Sequence, residues 1–178
     1  MNNSRCTWVS DDEIYIDYHD REWGIPTHDD KELFEMLILE SFQAGLSWIT
    51  ILKKRENFKK AFDGFDVEKV AGYDDDKIEE LLSNDGIIRH KGKITSAINN
   101  AKVFIEIQKE FGRFDKYIWG FTDGEIIKAE YLTESDLSRD ISKDLKKRGM
   151  KFVGPTIIYS YLESIGIIDN HEKNCFKF

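Results

Sequence analysis

The chain has 178 residues, 40% hydrophobic and 13% aromatic, enough for a packed interior, and its 34 acids against 26 bases give a formal net charge of −8. That balance argues against wholesale binding of polyanions, since like charges repel. The opening MNNSRCTWVS lacks the basic start and apolar stretch of a secretory signal, and no apolar run is long enough to cross a membrane. The two cysteines therefore read as thiols or metal ligands in a reducing, cytoplasmic setting.

At this length one domain spanning 1–178 is expected, and its apolar spacing is mostly helical. EIYIDYHD is too short to assign. Asp29 or Asp30 suits the cap of a helix through KELFEMLILESFQA that stops at Gly45. Ser47 suits the cap of WITILKKRENFKKAF, with Trp48, Ile51, Leu52 and Phe62 turned inward. Short helices follow Asp66 and Asp74. A long one runs from about Lys91 to Phe111, with Ile94, Ile98, Ala101 and Ile105 on its apolar face. DKYIWGF is a short helix or turn. Ser138 is expected to cap RDISKDLKKR, which ends at Gly149, and Pro155 to open TIIYSYLESI, which ends at Gly166. The fold class is all-α, with little or no sheet.

Charge is unevenly spread. Segment 63–85 holds nine acids against Lys69 and Lys77. Bases collect in 51–60, in 87–103 and in 139–151. These are three solvated helix faces or parts of one basic face, and charge alone favours the first. In KKRGMKFVGPTIIYSYL, Gly149 and Gly154 bound a turn between helices. Amides at the start of the second helix are free to meet a phosphate, beside Lys146, Lys147, Arg148 and Lys151. An ordinary αα-corner explains the same residues.

Two further patterns carry chemistry. His171 and Cys175, four apart, would share one face of a helix, and Cys6 and His19 stand near the other end. Together they offer a zinc-like donor set. A buried Cys at each end with two surface histidines is the competing explanation. Glu40, in turn, falls on the apolar face with Leu33, Met36 and Leu37, where an unpaired carboxylate is costly. Trp8, Tyr15, Tyr18 and Trp23 lie upstream and Trp48 downstream. Rings around a buried acid suit a flat cation, whereas a lysine or backbone partner for Glu40 would make the cluster plain core.

The stretches CTWVSDDEIYIDYHDREWG, LFEMLILESFQAGLSWITILKKRENF, GIIRHKGKI, LKKRGMKFVGPTIIYSYL and GIIDNHEKNC together resemble the bacterial 3-methyladenine DNA glycosylase I family of the helix-hairpin-helix superfamily. They span nearly the whole chain, in order. The resemblance implies a two-lobed all-α fold: a zinc-bearing lobe from both termini, and a central helical lobe with the hairpin at about 138–166. It implies one structural zinc per chain on Cys6, His19, His171 and Cys175. It implies Glu40 and Tyr18 as catalytic residues and Trp8, Tyr15, Trp23 and Trp48 as base-binding rings. Leu46 would fill the gap left in the duplex, and Lys147, Lys151, Gly154 and Thr156 would meet the DNA. Thr156 occupies the place where bifunctional relatives carry a Schiff-base lysine, which implies hydrolysis without AP-lyase activity. Asp169 is read as structural or as a helix-end residue, Trp119 as packing, and Arg89 and His90 as phosphate contacts. The expected substrate is alkylated double-stranded DNA and the product free 3-methyladenine, handled by a cytoplasmic monomer away from membranes. A zinc-stabilised DNA-binding module without catalysis, or a glycosylase for another alkylated purine, are the alternatives.

Overall fold

Acidic and hydroxyl side chains set most of the helix starts in the computed structural model, which describes residues 4–129 and 132–178. The carboxylate of Asp12 accepts from the Ile14 amide and opens α1 (Glu13–Arg21), so the stretch too short to assign is a helix. Asp29 accepts from the Lys31 and Glu32 amides at the start of α2 (Asp30–Gln43). Such a cap is worth about 1 kcal/mol. Ser47 precedes α3 (Trp48–Ala61) without capping it, because its hydroxyl pairs with that of Thr50 at 2.7 Å. Asp66 and Asp74 cap α4 (Val67–Ala71) and α5 (Asp75–Ser83). Then come α6 (Lys91–Phe111) and α7 (Phe114–Gly120).

Two further sequence expectations need correction. The cap of α8 (Asp136–Lys147) is Ser135, and Ser138 sits three residues inside, the two closing a reciprocal capping box. The helix α9 (Pro155–Ser164) starts on its proline as expected, but the chain beyond it is not helical at His171–Cys175, which lies in turns. The sheet is as slight as expected: β1 (Ile127–Lys128) pairs in parallel with β2 (Ile168–Asp169), joining the chain before α8 to the chain after α9.

Helix α6 packs on α2, α4, α5 and α7, and α9 packs on α2 and α8. Ile94, Ile98 and Ala101 are buried, but Ile105 is only half-buried and Phe104 and Ile107 take the interior places beside it. Phe104 stacks on Phe114 at 4.0 Å and meets Phe34 edge-on at 5.2 Å. Each such ring contributes on the order of 1.5–3 kcal/mol by burial. Tyr161 donates to the Leu33 carbonyl at 2.9 Å, tying α9 to α2. The two ends of the chain meet where the Phe176 amide donates to the Ser4 carbonyl at 2.8 Å. Among the described residues no helix is long and apolar enough to cross a membrane.

Candidate active site

Four helices and the segments flanking α1 converge on one pocket of about 160 Å³. Trp8 and Trp23 come from either side of α1, and Tyr15 and Tyr18 from α1 itself. Helix α2 contributes Glu40 and Gln43, α3 its first residue Trp48, and α9 Ser160 and Glu163. All five rings singled out in the sequence therefore line one cavity with Glu40. Trp8 lies 5.0 Å from Tyr15 and 4.9 Å from Trp23 between ring centres, and Tyr18 lies 5.5 Å from Trp48.

Glu40 is only 4% exposed. Among the described residues no ion pair or hydrogen bond reaches its carboxylate, so the lysine or backbone partner weighed from sequence is absent. Burial pushes its carboxyl well above the usual carboxylate range, and Glu163 pushes it further. Burial also raises Glu163 to about 7, although Asn170 donates to its Oε1 at 3.1 Å. The Tyr18 phenol is pushed well above its ordinary value by burial and by Glu40, so it stays a neutral donor. The buried Nε1–H of Trp48 has no acceptor. The pocket thus offers flat apolar faces, unspent acceptors and unspent donors, a set suited to a planar nitrogen heterocycle carrying positive charge.

Sequence reasoning missed Glu163, Ser160 and Gln43. Glu163 carried a signal of the same kind as Glu40: a lone acid in the apolar run TIIYSYLESI. Ser160 and Gln43 carried none.

At the chain ends, donor atoms of Cys6, His19 and Cys175, all buried, lie within 4.8 Å of one another and could hold a metal ion. His171 stands outside that group, with its ring 5.6 Å from that of His19. Its Nε2 is buried without a partner, an atom left for a ligand. Both imidazoles are anchored through Nδ1: His19 by Asp20 at 2.8 Å and His171 by Asp169 at 2.7 Å. Carboxylates behind the rings in this way orient Nε2 for coordination. Asp169 is thus held between His171 at 2.7 Å and Lys128 at 3.1 Å. Gly24 makes room for His171: at φ +75°, a Cβ there would lie 2.6 Å from the imidazole Cε1. Without a cation, burial pushes the Cys6 thiol up to about 12.

The third group of sequence candidates lies on the surface. Lys146, Lys147, Lys151 and Thr156 are exposed, and Gly154 precedes α9 as its N-cap. The buried Asn100 holds the hairpin against α6, accepting from the Lys151 amide at 2.9 Å and donating to the Lys151 carbonyl at 2.8 Å. His90, at the start of α6, faces Phe152 of the hairpin at 6.2 Å. Two of the three basic stretches are thus neighbours. The third is largely neutralised: Arg55 pairs with Glu22 and Glu35, Lys53 with Asp12 and Lys59 with Glu35. Arg148 also leaves the expected set, because it is tied to Glu110 and Asp144. Lys93 is buried and donates to the Phe42 and Ala44 carbonyls at 2.8 and 2.6 Å. It thereby braces the turn that presents Leu46, whose carbonyl accepts from Gln43 at 2.7 Å.

A family model described as methyladenine glycosylase matches residues 8–178. The DNA-3-methyladenine glycosylase 1 of Escherichia coli K12 is 46% identical over 177 residues, 96% of this chain and 95% of that protein. A 3-methyladenine DNA glycosylase I from Staphylococcus aureus, solved to explain 3-methyladenine recognition, superposes with a TM-score of 0.93 at 39% identity, covering 97% of this chain and 95% of that one. A tyrosine-to-phenylalanine variant of such an enzyme, in complex with 3-methyladenine, matches at 38% identity and a TM-score of 0.93, covering 99% of this chain and 97% of that one.

Proposed function

The chain belongs to the methyladenine glycosylase family, and on that premise we propose that it excises 3-methyladenine from alkylated double-stranded DNA. One observation carries the reading: Glu40 is buried among five rings, and among the described residues no Lys or Arg lines that pocket with it. Methylation at N3 gives adenine a positive charge and weakens its glycosidic bond. Such a base supplies the counter-charge that Glu40 lacks, and its arrival favours the ionised carboxylate. The named relatives support the same substrate, one of them through its complex with 3-methyladenine.

The base must leave the stack to reach this pocket, which costs a few kcal/mol, less for a damaged base. Leu46 fills the gap. Lys147 and Lys151 neutralise phosphates, and the backbone at Gly154 and Thr156 receives the DNA strand at the start of α9. Trp48 stacks on the flipped base, with Trp8, Tyr15 and Trp23 walling the pocket and Tyr18 donating a hydrogen bond. Glu40 accepts from the base edge. Water attacks the sugar carbon as the glycosidic electron pair passes to the base, which departs neutral. Thr156 has no amine with which to form a Schiff base, so the product is an abasic site without strand cleavage.

A zinc ion, one per chain, fits the donors at the termini, with His171 as fourth ligand to Cys6, His19 and Cys175. The orphaned Nε2 of His171 and the carboxylates behind both imidazoles support it. Its role is to hold the terminal lobe closed beside the central lobe that carries the hairpin. The enzyme acts as a cytoplasmic monomer.

The decisive experiment incubates the protein with methylated duplex DNA and separates the released bases by chromatography. Release of 3-methyladenine is expected, with no borohydride-trapped adduct. No release would favour a non-catalytic DNA-binding module, and release chiefly of another methylpurine would change the substrate.

A further inference from the structure

Glu163 reaches the base pocket from α9, opposite in sequence to everything that identified Glu40. We propose that Glu163 is a second acidic group of this pocket, sharing one proton with Glu40 while the pocket is empty and releasing it to solvent when a cationic purine enters. The inference rests on reading the pocket as a site for a cationic base.

Two carboxylates line one cavity of about 160 Å³, and no Lys or Arg lines it with them. Like charges confined in a poorly solvated space do not both ionise freely, and they titrate as a pair. The surrounding elements supply no relief. From α1, Tyr15 and Tyr18 face the acids, and both phenols are pushed up. Glu22, at the end of α1, is held by Arg55 at 2.7 Å. From α3, Arg55 does not line the cavity, and Glu22 and Glu35 occupy it. From α9 itself, Tyr159 and Tyr161 are pushed up, Tyr159 to about 12. After β2, neutral Asn170 donates to Glu163. His19 packs against Trp8 and Trp23 and does not line the cavity. The two carboxyls are therefore the acidic groups that line the cavity with no cation between them; burial holds both above the usual range, and Glu163 raises Glu40 further.

The consequence is selective. A neutral purine gives the shared proton no reason to leave and meets fewer free acceptors. A cation replaces the proton and faces two carboxylates. When the glycosidic pair passes to the base, the positive charge on the base is cancelled, and the attacking water gives up a proton as its oxygen bonds to the sugar. The carboxyl pair then takes back one proton from solvent, and its hold on the neutral product relaxes.

Carbon-13 NMR titration of the glutamate side-chain carboxyls in the full chain tests this directly. In Glu163→Gln the midpoint of Glu40 should fall by about one pH unit or more, the scale on which coupled sites interact. In Glu40→Gln the midpoint of Glu163 should fall by the same amount, since coupling is reciprocal. Unchanged midpoints in both variants would overturn the inference, and either variant alone decides it should the other fail to fold. Base release from methylated DNA by the unaltered chain is measured alongside. Its absence would remove the 3-methyladenine reading while the titration still judged the shared proton. With activity present, the acidic limb of log kcat/KM should move to lower pH in Glu163→Gln by the interval seen for Glu40; a limb that stays in place would overturn the role in selection.

Discussion

A carboxyl held in a poorly solvated pocket without a cationic partner lowers the stability of the fold that contains it once it ionises, and this pocket holds two, Glu40 and Glu163. For Glu163 the sign follows from its midpoints. The folded value of about 7 lies above an unfolded value of about 4.3, so folding takes up a proton between them. The native state suffers no penalty below about pH 4; the penalty grows between about pH 4 and 7 and is fully present above 7. Glu163→Gln should therefore melt higher than the unaltered protein at about pH 8 and at the same temperature at about pH 4, as thermal unfolding followed by circular dichroism would show. Such a gain at a site with no packing defect marks a residue kept for something other than stability. Glu40→Ala should abolish most base release while leaving duplex affinity intact, measured by single-turnover excision and by fluorescence anisotropy. Trp48→Ala removes a stacking face worth about 1–3 kcal/mol and should weaken binding of free 3-methyladenine about tenfold or more, measured by calorimetry.

At the scale of elements, the hairpin shows why local charge is a poor guide to a binding face. Lys147 and Arg148 are adjacent in sequence, yet Lys147 is exposed, while Arg148 bonds to Glu110 and Asp144 and lies over the rings of Phe111 and Tyr117. Lys147→Ala should weaken binding to all duplexes and lower the slope of log affinity against log salt by about one. Arg148→Ala should instead lower the melting temperature, with a smaller change in that slope. Both are read from salt-dependent anisotropy and thermal melts. The same distinction limits what the sequence discloses. Periodicity and acidic caps located α2 to α6 closely, because those signals are local. Helix α1 was left unassigned, since the alternating Ile and Tyr residues of EIYIDYHD suit a strand as well as a helix. The β1–β2 pair joins residues forty-one apart, Ile127 with Ile168, and left no local trace. Lys93 looked like surface charge and is a buried brace for the α2–α3 turn, a role set by the carbonyls that α2 leaves unpaired at its end. Glu40 and the five rings were legible as a cluster because an acid amid apolar spacing is itself an anomaly. Glu163 showed the same anomaly, but α9 lies far from the rings in sequence and nothing local joined them.

For the molecule as a whole, the pocket depends on how the two ends of the chain are held. Trp8 and Trp23 wall the pocket on one side and pack against His19, and Trp23 also packs against His171 at 4.6 Å. The donors proposed for zinc are therefore the second layer of the base site, and they join residues more than 150 apart in sequence. Tying such distant points restricts the unfolded chain most, so loss of the ion should appear first as loss of stability. His171→Ala should abolish stoichiometric zinc by elemental analysis and lower the melting temperature, while base release at low temperature persists at a reduced rate. Gly24→Ala leaves all four proposed ligands in place but drives a methyl group into the His171 ring, and it should reproduce the zinc loss in weaker form. Retention of one zinc per chain in His171→Ala would remove that residue from the ligand set. Loss of base release at every temperature, with zinc and fold intact, would instead assign His171 to the chemistry of the pocket.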